Sequence, residues 1–152
     1  AIKGLTESLG TNGVCSNYSF KTAPYTFEVL KNLKGGKVIF HNGVSEDEYH
    51  KQLDQAVALV TGSRDEGFGI PLIESMSRGV PVVVSDIEIF KEIGGDVALF
   101  FDQENPEDFA AQVRKLESNP AWVERGAASR KHAEQFNWDR SAGDLIEMIS
   151  RL

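Results

Sequence analysis

The stretch Val57-Ala58-Leu59-Val60, then Pro71-Leu72-Ile73-Glu74-Ser75-Met76-Ser77-Arg78-Gly79, then Pro81-Val82-Val83-Val84 decides the fold. Four apolar residues in a row, without polar alternation, mark a strand buried on both faces. The stretch has two such runs. Between them, a proline at the first helical position and a glycine just past the end bracket a helix. A strand, a helix and a second strand of this kind build a parallel sheet covered on both faces.

The same alternation extends in both directions. Upstream, Lys37-Val38-Ile39-Phe40 is a short β-rich run stopped by Asn42-Gly43. Ser45-Glu46-Asp47-Glu48 matches a capping box, and the helix it opens carries Tyr49 and Leu53 to about Gln55. Downstream, Glu88 to Ile93 predicts a short helix closed by Gly94-Gly95, and Val97 to Phe101 a third buried strand of the same kind. Asn105-Pro106-Glu107-Asp108 opens a helix with an N-cap, a proline and early acidic residues. Two more helices are predicted, at about 120–135 and 139–152. Near the N-terminus a weak helical signal covers Leu5 to Leu9, and Phe27, Leu30 and Leu33 share a helical face ended by Gly35-Gly36. Four strands are legible, whereas a doubly wound sheet usually has five or six. Either residues 1–23 hide a strand or part of the sheet lies outside this chain. The expected fold is α/β, a Rossmann-like parallel sheet with helices on both faces, in one domain over 1–152.

Composition sets the outer bounds. The chain has 152 residues, 41% of them hydrophobic and 26% charged, an ordinary soluble balance. The 16 Lys+Arg against 23 Asp+Glu give a net charge of −7. That acidity argues against a nucleic-acid surface, which needs a basic stripe. No apolar run approaches the roughly 18–20 residues of a membrane span. Ala1 to Gly10 lacks the pattern of a secretory leader. The single Cys15 forms no internal disulfide, and the expected setting is cytoplasmic. His41, His50 and His132 have no metal-ligand spacing.

In open α/β sheets ligands sit beyond the carboxyl ends of the strands. Three loops leave those ends: His41-Asn42-Gly43-Val44, Gly62 to Pro71, and Ser85-Asp86-Ile87. The second is the most unusual. Gly67 and Gly69 offer backbone freedom and close approach. The helix that starts at Pro71 turns unpaired N–H groups and a positive dipole end toward the same space, a ready phosphate site. Glycine spacing alone fits a structural turn equally well. Leu72 at the third position rules out the dinucleotide fingerprint, and no Gly-Lys-Ser/Thr follows for a Walker A loop. Glu66 and Glu74 frame the loop, eight positions apart. A carboxylate one turn into the helix suits a vicinal diol such as a ribose. Glu66, nearer the phosphate end, suits a sugar hydroxyl or a developing positive charge.

Glu66-Gly67-Phe68-Gly69-Ile70-Pro71-Leu72-Ile73-Glu74 resembles the E-x7-E signature of retaining nucleotide-sugar glycosyltransferases with the two-domain GT-B fold, the family 4 or "group 1" enzymes. Ser75 to Val83, Ser85-Asp86-Ile87, Glu92 to Asp96 and Phe136-Asn137-Trp138-Asp139 are similar to the family's flanking text. The resemblance runs from about Lys37 to Leu152, and residues 1–36 match poorly. It implies a C-terminal donor-binding domain for a nucleoside-diphosphate sugar. By that resemblance Glu66 is the catalytic residue facing the transferred sugar, together with the backbone of Gly67, Phe68 and Gly69. The N–H groups around Ile70, Leu72 and Ile73 hold the diphosphate, and Glu74 binds the ribose. Gly43, Val44 and Glu46 lie where the family contacts the base. Neither metal nor cofactor is implied. The family's Arg and Lys pair has no counterpart before residue 37, since Lys3 and Lys21 lack its context. The acceptor-binding N-terminal domain is also missing.

The expected function is therefore the donor-binding half of an enzyme that moves a sugar to a hydroxyl acceptor in polysaccharide or glycoconjugate synthesis. The expected half is inactive by itself. Peripheral membrane contact of the intact enzyme stays open. The rival readings are a noncatalytic nucleotide or phosphosugar module and a nucleotide-sugar epimerase on the same fold. A hydrolase using Glu66 and Glu74 as paired carboxylates leaves the phosphate-type helix end unexplained.

Overall fold

The computed structural model describes the backbone of residues 13–15 and 38–40, and residues 43–117 and 119–151 in full. The helical signals at Leu5–Leu9 and Phe27–Leu33, and the residues Lys3, Lys21 and His41, lie outside the described residues.

The described residues hold five short strands and six helices. In chain order they are β1 (Gly13–Cys15), β2 (Val38–Phe40), α1 (Glu46–Asp54), β3 (Leu59–Thr61), α2 (Ile70–Ser77), β4 (Val82–Ser85) and α3 (Glu88–Gly94). A 3-10 turn at Gly95–Val97 leads to β5 (Leu99–Phe101), α4 (Pro106–Arg114), α5 (Asn119–Ala133) and α6 (Trp138–Ser150). β1 supplies a strand within residues 1–23, the first of the two alternatives left by the sequence. It pairs in parallel with β2, Gly13 opposite Val38. β3, β4 and β5 form a parallel sheet in that order, with Leu59 opposite Val82 and Val83 opposite Leu99.

The sheet's two faces carry two cores. On one, Leu59, Val82 and Val84 pack with Leu72 and Met76 of α2, Phe90 and Ile93 of α3, and Ala133 of α5. On the other, Val83, Leu99 and Phe101 pack with Phe109 and Val113 of α4, joined by Trp122 of α5. β4 is buried along its whole length, as expected of a strand covered on both sides.

Two strands begin two residues later than the apolar runs predict. Val57 is 61% exposed and precedes β3, while Val60 within it is 39% exposed. β3 is thus not buried on both faces. Among the described residues α4 packs mainly over β5 and β4, and Val60, next to Val83 at the other edge of this sheet, stays partly exposed. Val97 is drawn into the 3-10 turn after Gly94-Gly95, which delays β5 to Leu99.

Helix ends follow local chemistry. Ser45 Oγ accepts the Glu48 N–H at 3.2 Å. The Glu48 carboxylate turns away and accepts from Gln52 Nε2 at 2.8 Å, so only half of the predicted capping box forms. Asn105 Oδ1 caps α4 through the Asp108 N–H at 3.1 Å. α5 braces the α2 and α3 ends. Arg130 Nη2 donates to Arg78 O at 2.9 Å, Arg125 Nη1 donates to Val97 O at 2.9 Å, and His132 Nε2 sits 2.8 Å from Ile93 O. α6 is amphipathic but buries no residue; Trp138, Leu145, Ile146, Met148 and Ile149 are all exposed.

Candidate functional site

The loop from Gly62 to Gly69 joins β3 to α2 beyond the carboxyl ends of the strands. Gly69 is the N-cap of α2 at φ +86°, a left-handed conformation that favours glycine. Its open side faces Phe90, and a Cβ built there would lie 3.1 Å from the ring. Gly67 has no positive φ. A Cβ there would meet nothing within 4 Å, so the backbone-freedom argument made for both glycines holds for Gly69 alone. Gly67 instead keeps the loop surface clear.

α2 starts at Ile70, where a helix leaves its first N–H groups outside the regular intrahelical ladder. Pro71 has no N–H to offer. The Leu72 N–H donates to Gly69 O at 2.9 Å, and the Leu72 side chain is buried in the core. The donors this end turns outward therefore centre on Ile70 and the preceding loop rather than on Leu72. Ile73 is half-buried and packs against the core. The Phe68 and Ile70 side chains are exposed beside the loop.

Glu66 and Glu74 are both half-buried, and each is held by a hydroxyl. Ser63 Oγ donates to Glu66 Oε1 at 2.6 Å, with Thr61 Oγ1 3.2 Å from Ser63 Oγ. Ser85 of β4, fully buried, donates to Ser63 O at 2.5 Å, so the loops after β3 and β4 are joined behind Glu66. The loop after β5 joins them through an Arg64–Glu104 ion pair. Glu74 Oε2 accepts from Tyr49 Oη at 3.1 Å. Sequence reasoning took Tyr49 only as an apolar residue of α1, placed Ser63 and Ser85 in the candidate loops without a role of their own, and did not single out Thr61. The three-residue spacing of Ser63 and Glu66 was the one local signal; Tyr49 and Glu74 are 25 residues apart.

The proposed base-contact residues lead into α1. Gly43 is exposed at φ +67°, Val44 is half-buried, and Glu46 is the exposed first residue of α1. Tyr49 follows one turn later on the same helix and reaches Glu74, which brings that segment alongside α2. Beyond β4, Lys91 Nζ lies 2.6 Å from Asp86 Oδ1 and 3.1 Å from Glu88 Oε1. The hydrogen bond to Asp86, then that to Glu88, holds its ammonium above the ordinary lysine pKa. Among the described residues no group of three or more His, Cys, Asp or Glu is placed to hold a metal.

The glycine-capped start of α2 and the two hydroxyl-held carboxylates thus lie together at the carboxyl edge of a parallel sheet, an arrangement that offers N–H donors and carboxylate acceptors side by side. The family model described as "Glycosyl transferases group 1" matches residues 23–136. The chain belongs to that family. The match reaches further toward the N-terminus than the resemblance from Lys37 and stops short of α6. The O-antigen chain mannosyltransferase RfbU of Salmonella typhimurium is 38% identical over 112 residues, 74% of this chain and 31% of that protein. The O-antigen chain mannosyltransferase B of Escherichia coli is 36% identical over 125 residues, 82% of this chain and 33% of its own length. The matched stretch thus spans about a third of each. The sucrose-phosphate synthase of Thermosynechococcus elongatus superposes on 99% of this chain and 41% of its own, with a TM-score of 0.75 at 19% identity. That likeness gives this group 1 chain the GT-B glycosyltransferase domain fold. No described helix is long and apolar enough to cross a membrane.

Proposed function

We propose that this chain forms the donor-binding part of a retaining glycosyltransferase that carries a mannosyl group from a nucleoside diphosphate to a hydroxyl acceptor in glycoconjugate synthesis. The observation that carries the reading is the pairing of the Gly69-capped start of α2 with Glu66 and Glu74 on either side of it. In this reading Ile70 and the Gly67–Gly69 backbone receive the diphosphate. Glu74 takes the ribose diol, and Glu66 faces the sugar. Charge builds on the diphosphate as its bond to the anomeric carbon breaks. N–H groups oriented beforehand stabilise that charge without reorganising. Gly43, Val44 and Glu46 border the base. The mannosyl group is supported by the names of the relatives, both mannosyltransferases of O-antigen chains. The complementary acceptor-binding part is the partner this reading requires.

Two measurements test it. Calorimetric titration of the chain with UDP, GDP and ADP should show binding of at least one of them that competes with inorganic diphosphate. The protein joined to its acceptor-binding part should transfer mannose from the corresponding nucleoside-diphosphate mannose with retention at the anomeric carbon. Nucleotide binding without transfer would favour a noncatalytic module, and a released epimeric nucleotide sugar would favour an epimerase.

A further inference from the structure

Glu74 is tied to another helix by a contact that the reading above does not use. Tyr49 of α1 donates its phenol proton to Glu74 Oε2 at 3.1 Å, and both residues are half-buried. The same two helices are joined again by Arg78 Nη1 and Asp54 Oδ1 at 2.6 Å. From Tyr49 to Asp54 is five residues, and from Glu74 to Arg78 is four. Each interval is a little over one helical turn. α1 and α2 therefore lie side by side and run in the same direction, with the ion pair keeping Tyr49 in register with Glu74.

We propose that Tyr49 is a positioning residue that presents the Glu74 carboxylate to the ribose diol of the bound nucleotide. The proposal rests on Glu74 being the ribose ligand. A glutamate on a helix turns among several rotamers, and binding a diol in one of them carries an entropic cost. The phenol hydrogen bond confines the carboxylate beforehand. The geometry leaves room for the ligand. A carboxylate offers about four lone-pair positions; Tyr49 occupies one on Oε2, which leaves Oε1 and the remainder of Oε2 for two diol hydroxyls. The phenol touches the carboxylate, not the reacting atoms, so its effect should appear in nucleotide affinity and depend on Glu74.

The test is a double-mutant cycle on the full chain with Tyr49→Phe, Glu74→Ala and both together. Each form is titrated with the tightest binder among UDP, GDP and ADP, and with inorganic diphosphate. Tyr49→Phe keeps the ring and removes only the hydroxyl. It should weaken the nucleoside diphosphate about threefold to tenfold, the scale of ordering one flexible side chain. It should leave inorganic diphosphate affinity and the circular dichroism spectrum unchanged. In the Glu74→Ala background the same change should have almost no effect on either ligand. An unaltered nucleoside-diphosphate affinity in Tyr49→Phe, or an equal loss for both ligands, while Glu74→Ala still discriminates between them, would overturn the role of Tyr49 and spare that of Glu74. If Glu74→Ala does not discriminate, or if no nucleoside diphosphate binds the unmodified chain, the ribose reading fails and this proposal fails with it.

Discussion

Gly126 of α5 lies directly against the carbonyl oxygen of Gly79, the residue that follows the C-cap of α2 at φ +74°. A Cβ at Gly126 would collide with that oxygen. Backbone on one side and helix on the other leave nothing flexible to yield. The contact seats α5 on the end of α2, and Arg130 closes it by donating to Arg78 O. The helix that begins at the candidate site is thus braced at its far end.

Gly126→Ala should destabilise the domain by up to about 2 kcal/mol. Alanine gains roughly 1 kcal/mol over glycine inside a helix, but overpacking against a fixed group costs about 1–3 kcal/mol, and the carbonyl cannot move without opening the α2 end. Gly143 of α6 is the control, because a Cβ there meets nothing within 4 Å. Gly143→Ala should stabilise by about 0.5–1 kcal/mol. Urea unfolding of the two variants should move in opposite directions, and a stabilised Gly126→Ala would show that α5 does not rest on Gly79.

Gly69→Ala should cost about 1–3 kcal/mol, the range for a non-glycine residue held in a sparsely populated backbone region. The added methyl also meets the buried ring of Phe90 at 3.1 Å. Gly67→Ala should stay within about 0.5 kcal/mol of the parent and still weaken diphosphate binding, because its methyl would stand on the loop surface reserved for the ligand. Paired unfolding and titration curves read both quantities. A stable Gly69→Ala would mean that the loop adopts another conformation, and unchanged diphosphate binding by Gly67→Ala would place the anion elsewhere.

This difference between two glycines of one loop marks the limit of what the sequence discloses. A glycine's spacing announces a permissive loop, but its φ depends on how the strand and helix are joined. The strands show the same limit. Pro81 to Val84 was readable because β4 lies between two covered faces, so its apolar run and its burial nearly coincide. Val57 to Val60 was uniformly apolar, yet only Leu59 is buried, since the run has no alternation to fix register and Val57 and Val60 stay exposed. At the site, both carboxylates were visible from the spacing of Glu66 and Glu74. Their hydroxyl partners were not. Tyr49 reaches Glu74 only because two βα units place α1 beside α2, and Ser85 reaches Ser63 only because β3 and β4 are neighbours.

Lys91 should contribute a pH-dependent increment of stability. The Asp86 hydrogen bond, and then that of Glu88, raises its pKa in the fold, so folding favours the charged form. The increment is full below the ordinary lysine value and fades as pH rises through the raised one. Lys91→Met should therefore lower the unfolding temperature at neutral pH, with the difference from the parent shrinking as the pH rises past the ordinary lysine value. The ion pairs lie at the surface, so added salt should diminish the difference as well. A gap that persists in alkali would assign the effect to the aliphatic stem.

Apolar side chains of α6 and of the core should respond in opposite ways. Trp138 is 82% exposed, and Trp138→Ser should change stability by no more than about 0.5 kcal/mol. Phe90 is 1% exposed between Gly69 and the sheet. Phe90→Ala should cost about 3–5 kcal/mol, and nucleotide affinity should fall with it as the wall behind Gly69 is lost. A strongly destabilising Trp138→Ser in denaturant titration would mean that this face of α6 is covered in solution.

Ser63→Ala should separate binding from transfer. The Ser63 hydroxyl donates to Glu66 at 2.6 Å, while its own carbonyl is held independently by buried Ser85 at 2.5 Å. Removing the hydroxyl leaves that backbone tie in place, so the loop should keep its path and stability should fall by only about 0.5–1.5 kcal/mol. Nucleoside-diphosphate affinity should change less than about twofold, because Glu74 and the Ile70 end of α2 are untouched. Glu66, however, becomes free to turn. If it must face the sugar during transfer, a displacement of the carboxylate should slow turnover by about tenfold to hundredfold with KM nearly unchanged, measured in the protein joined to its acceptor-binding part. Ser85→Ala tests the same support from behind. It strips the half-buried Ser63 carbonyl of its donor, which costs about 1–3 kcal/mol, and it should loosen the whole loop and so reduce affinity and turnover together. A Ser63→Ala enzyme with full turnover would mean that Glu66 needs no orientation from Ser63, and an equal loss of affinity and turnover would mean that the hydroxyl supports the loop rather than the carboxylate.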